Sequence, residues 1–142
     1  MSIDYQIFLD EDIEFTTILA RVSEHMPLSI YSETMLELVA CDKARLIAIW
    51  VRRGARGPEI PFPEHLDFLP RTKLNISPDK ERVHEAKVPL IQIAAILLKL
   101  TSGSVTMLMN WDLPLLRRRN GQPLELVTPD FWNERLRSII NA

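Results

Sequence analysis

Between Val88 and Leu100 every residue is apolar except Gln92 and Lys99. A surface helix needs a broad polar face, which this run lacks, so it reads as a helix nearly surrounded by protein. It is too short to cross a bilayer, which takes about 20 consecutive apolar residues. Gly103 follows it as an expected left-handed helix cap. From Ser104 to Val127, three short apolar segments are separated by Asn110, Trp111 and Asp112 and by Asn120 and Gly121. That pattern predicts an antiparallel meander laid beside the helix.

The same reasoning extends to the rest of the chain. Ile3, Tyr5, Ile7 and Leu9 alternate with other residues, as in a half-buried strand. Phe15, Ile18, Leu19, Val22 and Met26 then fall on one helical face, and Pro27 ends that helix. Asp10, Glu11, Asp12 and Glu14 stand at its start, where acidic groups favour the positive end of the helix dipole; an acidic surface for a basic partner is the other reading. Two strands are expected from Leu28 to Cys41 and from Ala44 to Arg53, joined at Asp42 and Lys43, with the first developing near Met35. The run from Leu46 to Val51 is apolar at every position, as expected of a mid-sheet strand covered on both faces.

Residues 54–70 contain four prolines and two glycines, which exclude a regular helix or a central strand. This long loop carries Ile60, Phe62, Leu66, Phe68 and Leu69, enough apolar surface to fold back on the core. It is either a cover for the sheet or a contact surface. Thr72, Leu74 and Ile76 predict another strand, Pro89 fits the first turn of the apolar helix, and Thr128, Pro129 and Asp130 start a short C-terminal helix carrying Phe131, Trp132, Leu136, Ile139 and Ile140. The expected architecture is α+β. Residues 1–142 form one domain with a mainly antiparallel sheet, a buried central helix, an N-terminal amphipathic helix and a short C-terminal helix.

Composition supports a folded domain, with 46% hydrophobic and 25% charged residues in 142. Seventeen basic against nineteen acidic residues leave a net charge of −2, too small to select a polyanion by its field. The single Cys41 cannot form an internal disulfide. The opening MSIDYQIFLDED has neither a basic flank nor an apolar run, so a cytoplasmic location and no membrane association are expected.

Little in the chain suggests chemistry. His25, His65 and His84 lie in separate segments without a second ligand at metal-binding spacing, and there is no GxSxG elbow. No metal, cofactor or enzymatic activity is expected. Arg52, Arg53 and Arg56, with Arg117, Arg118 and Arg119, could contact a phosphate backbone if they converged. Along a strand, however, successive side chains point to opposite faces, so solvated strand ends are the favoured reading.

The C-terminal third resembles the terminal meander of Sit-type immunity proteins, the protective partners of bacterial polymorphic toxins associated with swarm inhibition. The resemblance rests on the apolar helix and its glycine, a strand ending at Asn110 with Asp112 close behind, and LLRRRNGQPLEL from Leu115 to Leu126. MSIDYQIFLD and FLPRTKLNIS are similar in order and spacing. The resemblance implies inhibition of a cognate toxin domain by blocking its active site or substrate path. A basic toxin site would then favour Asp10, Glu11, Asp12, Glu59, Glu64 and Asp67 as contacts. Trp111 would be either an aromatic anchor or a cover over the sheet edge. The alternative function is a nucleic-acid-binding module using the two arginine groups.

Overall fold

The computed structural model describes residues 3–42, 44–53 and 66–142. They form an α+β fold with one eight-stranded antiparallel sheet. The strands are β1 (Tyr5–Leu9), β2 (Leu28–Glu33), β3 (Glu37–Asp42), β4 (Ile47–Arg53), β5 (Thr72–Pro78), β6 (Val105–Met109), β7 (Leu113–Arg118) and β8 (Glu125–Leu126), in the order β2-β3-β4-β5-β1-β6-β7-β8. Helices α1 (Phe15–Ser23), α2 (Lys87–Leu100) and α3 (Glu134–Ile140) cover one face.

Alternation along the strands explains which face is which. Tyr5, Ile7 and Leu9 of β1, Leu74 and Ile76 of β5, Ile49 and Val51 of β4 and Met107 of β6 all join the main core against the helices. From the helix side, α1 contributes Phe15, Ile18 and Val22, each burial worth about 1.5–3 kcal/mol. The intervening positions point to the outer face. There Phe8, Leu66 and Leu108 make a second, smaller core, flanked by Phe68 and Trp111.

Strand β1 is therefore the one whose five residues are all buried. The expectation that the apolar run of β4 has both faces covered is corrected: Ile47, Ile49 and Val51 are buried, but Ala48 is exposed and Trp50 only half-buried. Nor is Leu28 to Cys41 a single strand. It is a hairpin of β2 and β3, turned by Thr34, whose backbone N–H donates to the Glu37 carbonyl at 2.8 Å and whose hydroxyl accepts the Glu37 N–H at 3.1 Å. A threonine side chain does here what glycine or asparagine does elsewhere.

Three end signals also act differently. Glu14 occupies the N-cap of α1 without a side-chain capping bond, and the first turn carries no acid, so the acidic cluster is not a cap. Helix α2 is capped at Thr101 in extended backbone, and Gly103 is not a left-handed residue. The C-terminal helix starts later than expected. Pro129–Phe131 make one 3-10 turn, and α3 begins after Asn133, whose side chain accepts the Leu136 N–H at 2.9 Å.

Tyr5 gives the core a pH signature. Burial raises its phenol above the ordinary 10.0, with the Phe131 ring 6.1 Å away. Because the folded value is the higher one, this contribution is intact below pH 10 and is lost as pH climbs from there toward the folded value. Urea midpoints measured from pH 9 to 11 should fall in the native chain and fall less steeply in Tyr5→Phe. Equal slopes would contradict the assignment.

Candidate interaction surface

The described acidic candidates all have neighbours within the fold. Asp12 accepts two bonds from Arg53, 2.7 Å from Nε and 3.1 Å from Nη2. Glu11 accepts the Thr101 hydroxyl at 2.5 Å, tying the β1–α1 connection to the end of α2. Asp10 lies against Gly103 and near Arg118. Asp67 pairs with Arg119 at 2.8 Å. The two ion pairs are largely solvated, and such pairs contribute about 0.2–1 kcal/mol, so a partner can displace them at little cost. Glu59 and Glu64 lie outside the described residues, as does Arg56.

Trp111 sits at the β6–β7 turn with φ of +68°, next to Asn110 at +51°. A bulky residue in this region costs about 1–3 kcal/mol unless its surroundings hold it there. Here the Trp111 N–H donates to Gln6 Oε1 at 2.8 Å, and Gln6 in turn donates to Asn75 Oδ1 at 2.9 Å. The ring packs 6.4 Å from Phe8 and 5.8 Å from the Lys73 ammonium. Trp111 is thus half-buried on the outer face as part of the second core.

The arginines divide between the two faces. Arg53 turns to Asp12 and the Phe15 ring. Arg118 donates to the carbonyls of Leu98, Thr101 and Gly103 at the end of α2. On the outer face, Arg52, Lys73, Phe8, Thr106 and Arg117 fall in one cross-strand row. Arg52 and Arg117 are four strands apart, roughly 19 Å at the usual strand spacing. Lys73 lies between Trp50, 5.3 Å away, and Trp111. Burial, and secondarily the charge of Arg52, pull its ammonium below the ordinary lysine value.

One exposed apolar cluster was not singled out from the sequence. Among the described residues, the exposed large hydrophobic side chains are Ile30, Tyr31, Met35, Leu36 and Leu69. Four of these five belong to the β2–β3 hairpin, with Met35 87% and Tyr31 63% exposed. Strand β2 is the sheet's edge, and its ladder with β3 slips between Ile30 and Ser32. Ile30 lies beside the buried Ala40 yet is 50% exposed. The available sequence signal was that Ile30–Tyr31 and Met35–Leu36 are adjacent apolar pairs separated by Ser32, Glu33 and Thr34 instead of alternating cleanly.

A groove of about 420 Å³ also runs between the three helices, lined by Arg21, His25, Gln92, Lys99 and Ile139 among others. Helix α2 is therefore not wholly enclosed; Gln92 and Lys99 mark its outward stripe. Among the described residues, no group of three or more His, Cys, Asp or Glu could hold a metal ion, and no helix is long and apolar enough to cross a membrane. Cys41 is buried as a free thiol. Comparison with family models, curated proteins and solved structures found no match for the chain.

Proposed function

We propose that this protein is a binding protein of the immunity type, which holds a cognate bacterial toxin domain inactive by covering its active site or substrate path. The observation that carries the reading is the concentration of Ile30, Tyr31, Met35 and Leu36 on one hairpin at the sheet edge. Large apolar side chains clustered outside a filled core mark a surface that another protein covers. The resemblance of the C-terminal third to Sit-type immunity proteins supports a toxin as that protein. No chemical step by this chain is required.

Co-expression with the product of the neighbouring gene tests the reading. Cells should survive the neighbour only when this chain is present, the two should co-purify, and Tyr31→Ser with Met35→Ser should weaken the complex without lowering the melting temperature. Absence of both complex and rescue would remove the proposal.

One observation favours a second reading, a nucleic-acid-binding face. The row of Arg52, Lys73 and Arg117 carries Trp50 and Trp111 beside it, the mixture of cations and rings that stacks single strands. Leu66 and Phe68 lie with Phe8 in the middle of that row and divide it, which places this reading second. It requires binding to single-stranded RNA that weakens steeply between 50 and 200 mM salt.

A further inference from the structure

The groove between the helices has an apolar floor and a basic rim. Along α2, Gln92, Ala95, Ile96 and Lys99 stand at the i, i+3, i+4, i+7 spacing of one helical face, the face that α1 and α3 leave uncovered between them. Ile96 is buried there, and Ala95, Leu100 and Ile139 are half-buried. Ala95 sets a methyl group where a longer side chain would fill the space. At about 420 Å³ the groove falls in the range of small-ligand clefts, about 300–1,000 Å³. From Gln92 to Lys99 it runs roughly 10 Å by the helical rise.

The charge of the rim is one-sided. Arg21 and Lys99 bring two positive charges to it, His25 adds an imidazole, and Glu24 is the one acidic side chain. Among the described residues, none of the three basic side chains pairs with a carboxylate. A basic residue in the last turn of a helix commonly serves to offset the negative end of the dipole. Both helix ends here have other partners. The carbonyls of Arg21 and Val22 at the end of α1 accept the backbone N–H groups of Glu24, His25 and Met26, and the end of α2 faces the guanidinium of Arg118, which donates to the Leu98 carbonyl at 2.8 Å. The charges of Arg21 and Lys99 are therefore free to meet an anion at the groove.

We propose that this groove binds a straight-chain carboxylate of medium length, with its hydrocarbon chain laid over Ala95, Ile96 and Ile139 and its carboxylate at the rim formed by Arg21 and Lys99. A wholly polar anion such as phosphate would leave the apolar floor in water and lose the burial that the floor offers. An alkylammonium would set a like charge against Arg21 and Lys99. Octanoate has the length and the charge that the groove asks for. The site is independent of the toxin-binding role proposed above, since it uses neither the β2–β3 hairpin nor the outer face of the sheet.

The test is titration of the full chain with octanoate, below the concentration at which it self-associates, followed by NMR chemical shifts. Signals of Ala95, Lys99 and Ile139 should move, and those of Tyr31 and Met35 should not. Octanoate should bind about fourfold more tightly than hexanoate, as two half-covered methylenes allow. It should bind at least about tenfold more tightly than octylamine, as two exposed charges acting with opposite sign on the two ligands allow. The exposed double substitution R21M/K99M should abolish that preference, and Ala95→Leu, which fills the floor, should weaken octanoate at least about tenfold. If Ala95→Leu fails to fold, the double rim variant carries the test. Shifts confined to the β2–β3 hairpin, equal binding of octanoate and octylamine, or unchanged octanoate affinity in R21M/K99M would each overturn the proposal. So would a groove that ignores octanoate yet is covered by a protein partner in their complex.

Discussion

Replacing Arg118 with methionine is expected to cost about 3 kcal/mol of stability and to lower the melting temperature by roughly 10 °C. The last carbonyls of any α-helix lack intrahelical partners. At the end of α2 one guanidinium meets one of them, that of Leu98, together with the carbonyls of the capping Thr101 and of Gly103 just beyond. Arg118 Nη1 donates to the Leu98 carbonyl at 2.8 Å, Nη2 to the carbonyls of Thr101 at 2.6 Å and Gly103 at 3.0 Å, and Nε to Gly103 again at 3.1 Å. Hydrogen bonds to a charged group are worth about 1.5–3 kcal/mol each, but these share one side chain and are partly solvated, so their sum must be discounted. Methionine keeps much of the stem's packing and removes every donor.

Lysine at position 118 separates charge from geometry. A single ammonium favours the negative end of the helix dipole but cannot span three carbonyls as the planar fork does, so Arg118→Lys should lose about half as much. The measurement is thermal unfolding of the three proteins in one buffer. A methionine variant melting within 2 °C of the native chain would show that water caps the helix equally well.

Gly103→Ala comes second, at about 2 kcal/mol destabilising, the usual range for forcing extra volume into a packed site. The reason is space, since the backbone there is ordinary. An added Cβ would lie 2.0 Å from Asp10 Oδ1 and 2.7 Å from its Cγ. Asp10 has little freedom to retreat, because its own N–H is bonded to the Ser104 carbonyl at 3.2 Å and Oδ1 is enclosed. The two positions should therefore be coupled. In an Asp10→Ala background, Gly103→Ala should cost less than about 0.5 kcal/mol, a difference that a double-mutant cycle by urea denaturation resolves. Additive costs would mean that the glycine is needed for some reason other than Asp10.

These two sites show what could and could not be read from the sequence. Helix α1 was legible because its signal is local: Phe15, Ile18 and Val22 repeat at helical spacing and are the residues that the fold buries. The meander was legible for the same reason, since β6, β7 and β8 follow one another in both chain and sheet. The acidic cluster was not. Asp12 meets Arg53, 41 residues on, and Glu11 meets Thr101, 90 residues on, so the residues that decide its role lie beyond any local window. An acidic run before a helix looks the same whether it caps that helix or ties it to a distant strand end.

The hairpin surface was hidden by a different circumstance. Ile30, Tyr31 and Leu36 are ordinary core letters, and their exposure follows from the strand order. Likewise the apolar letters of β4 did not reveal that Ala48 faces solvent, whereas β1 is buried throughout because Leu66 and Trp111 arrive from elsewhere to cover Phe8.

The position of β1 also sets a timetable for the nascent chain. Ile7 pairs with Leu74 on one side and with Met107 on the other, so the earliest made of these eight strands is among the last to find both neighbours. Until β5 and β6 have been synthesised, YQIFL is an apolar extended segment with no edge to join, the kind of exposure that slows folding and invites misassembly. The hairpin of β2 and β3 can close early, and β4 can add to it. The sheet becomes continuous only when the amino-terminal strand is threaded between its two later halves, a non-local closure that makes acquisition of the native state slow for a chain of this length.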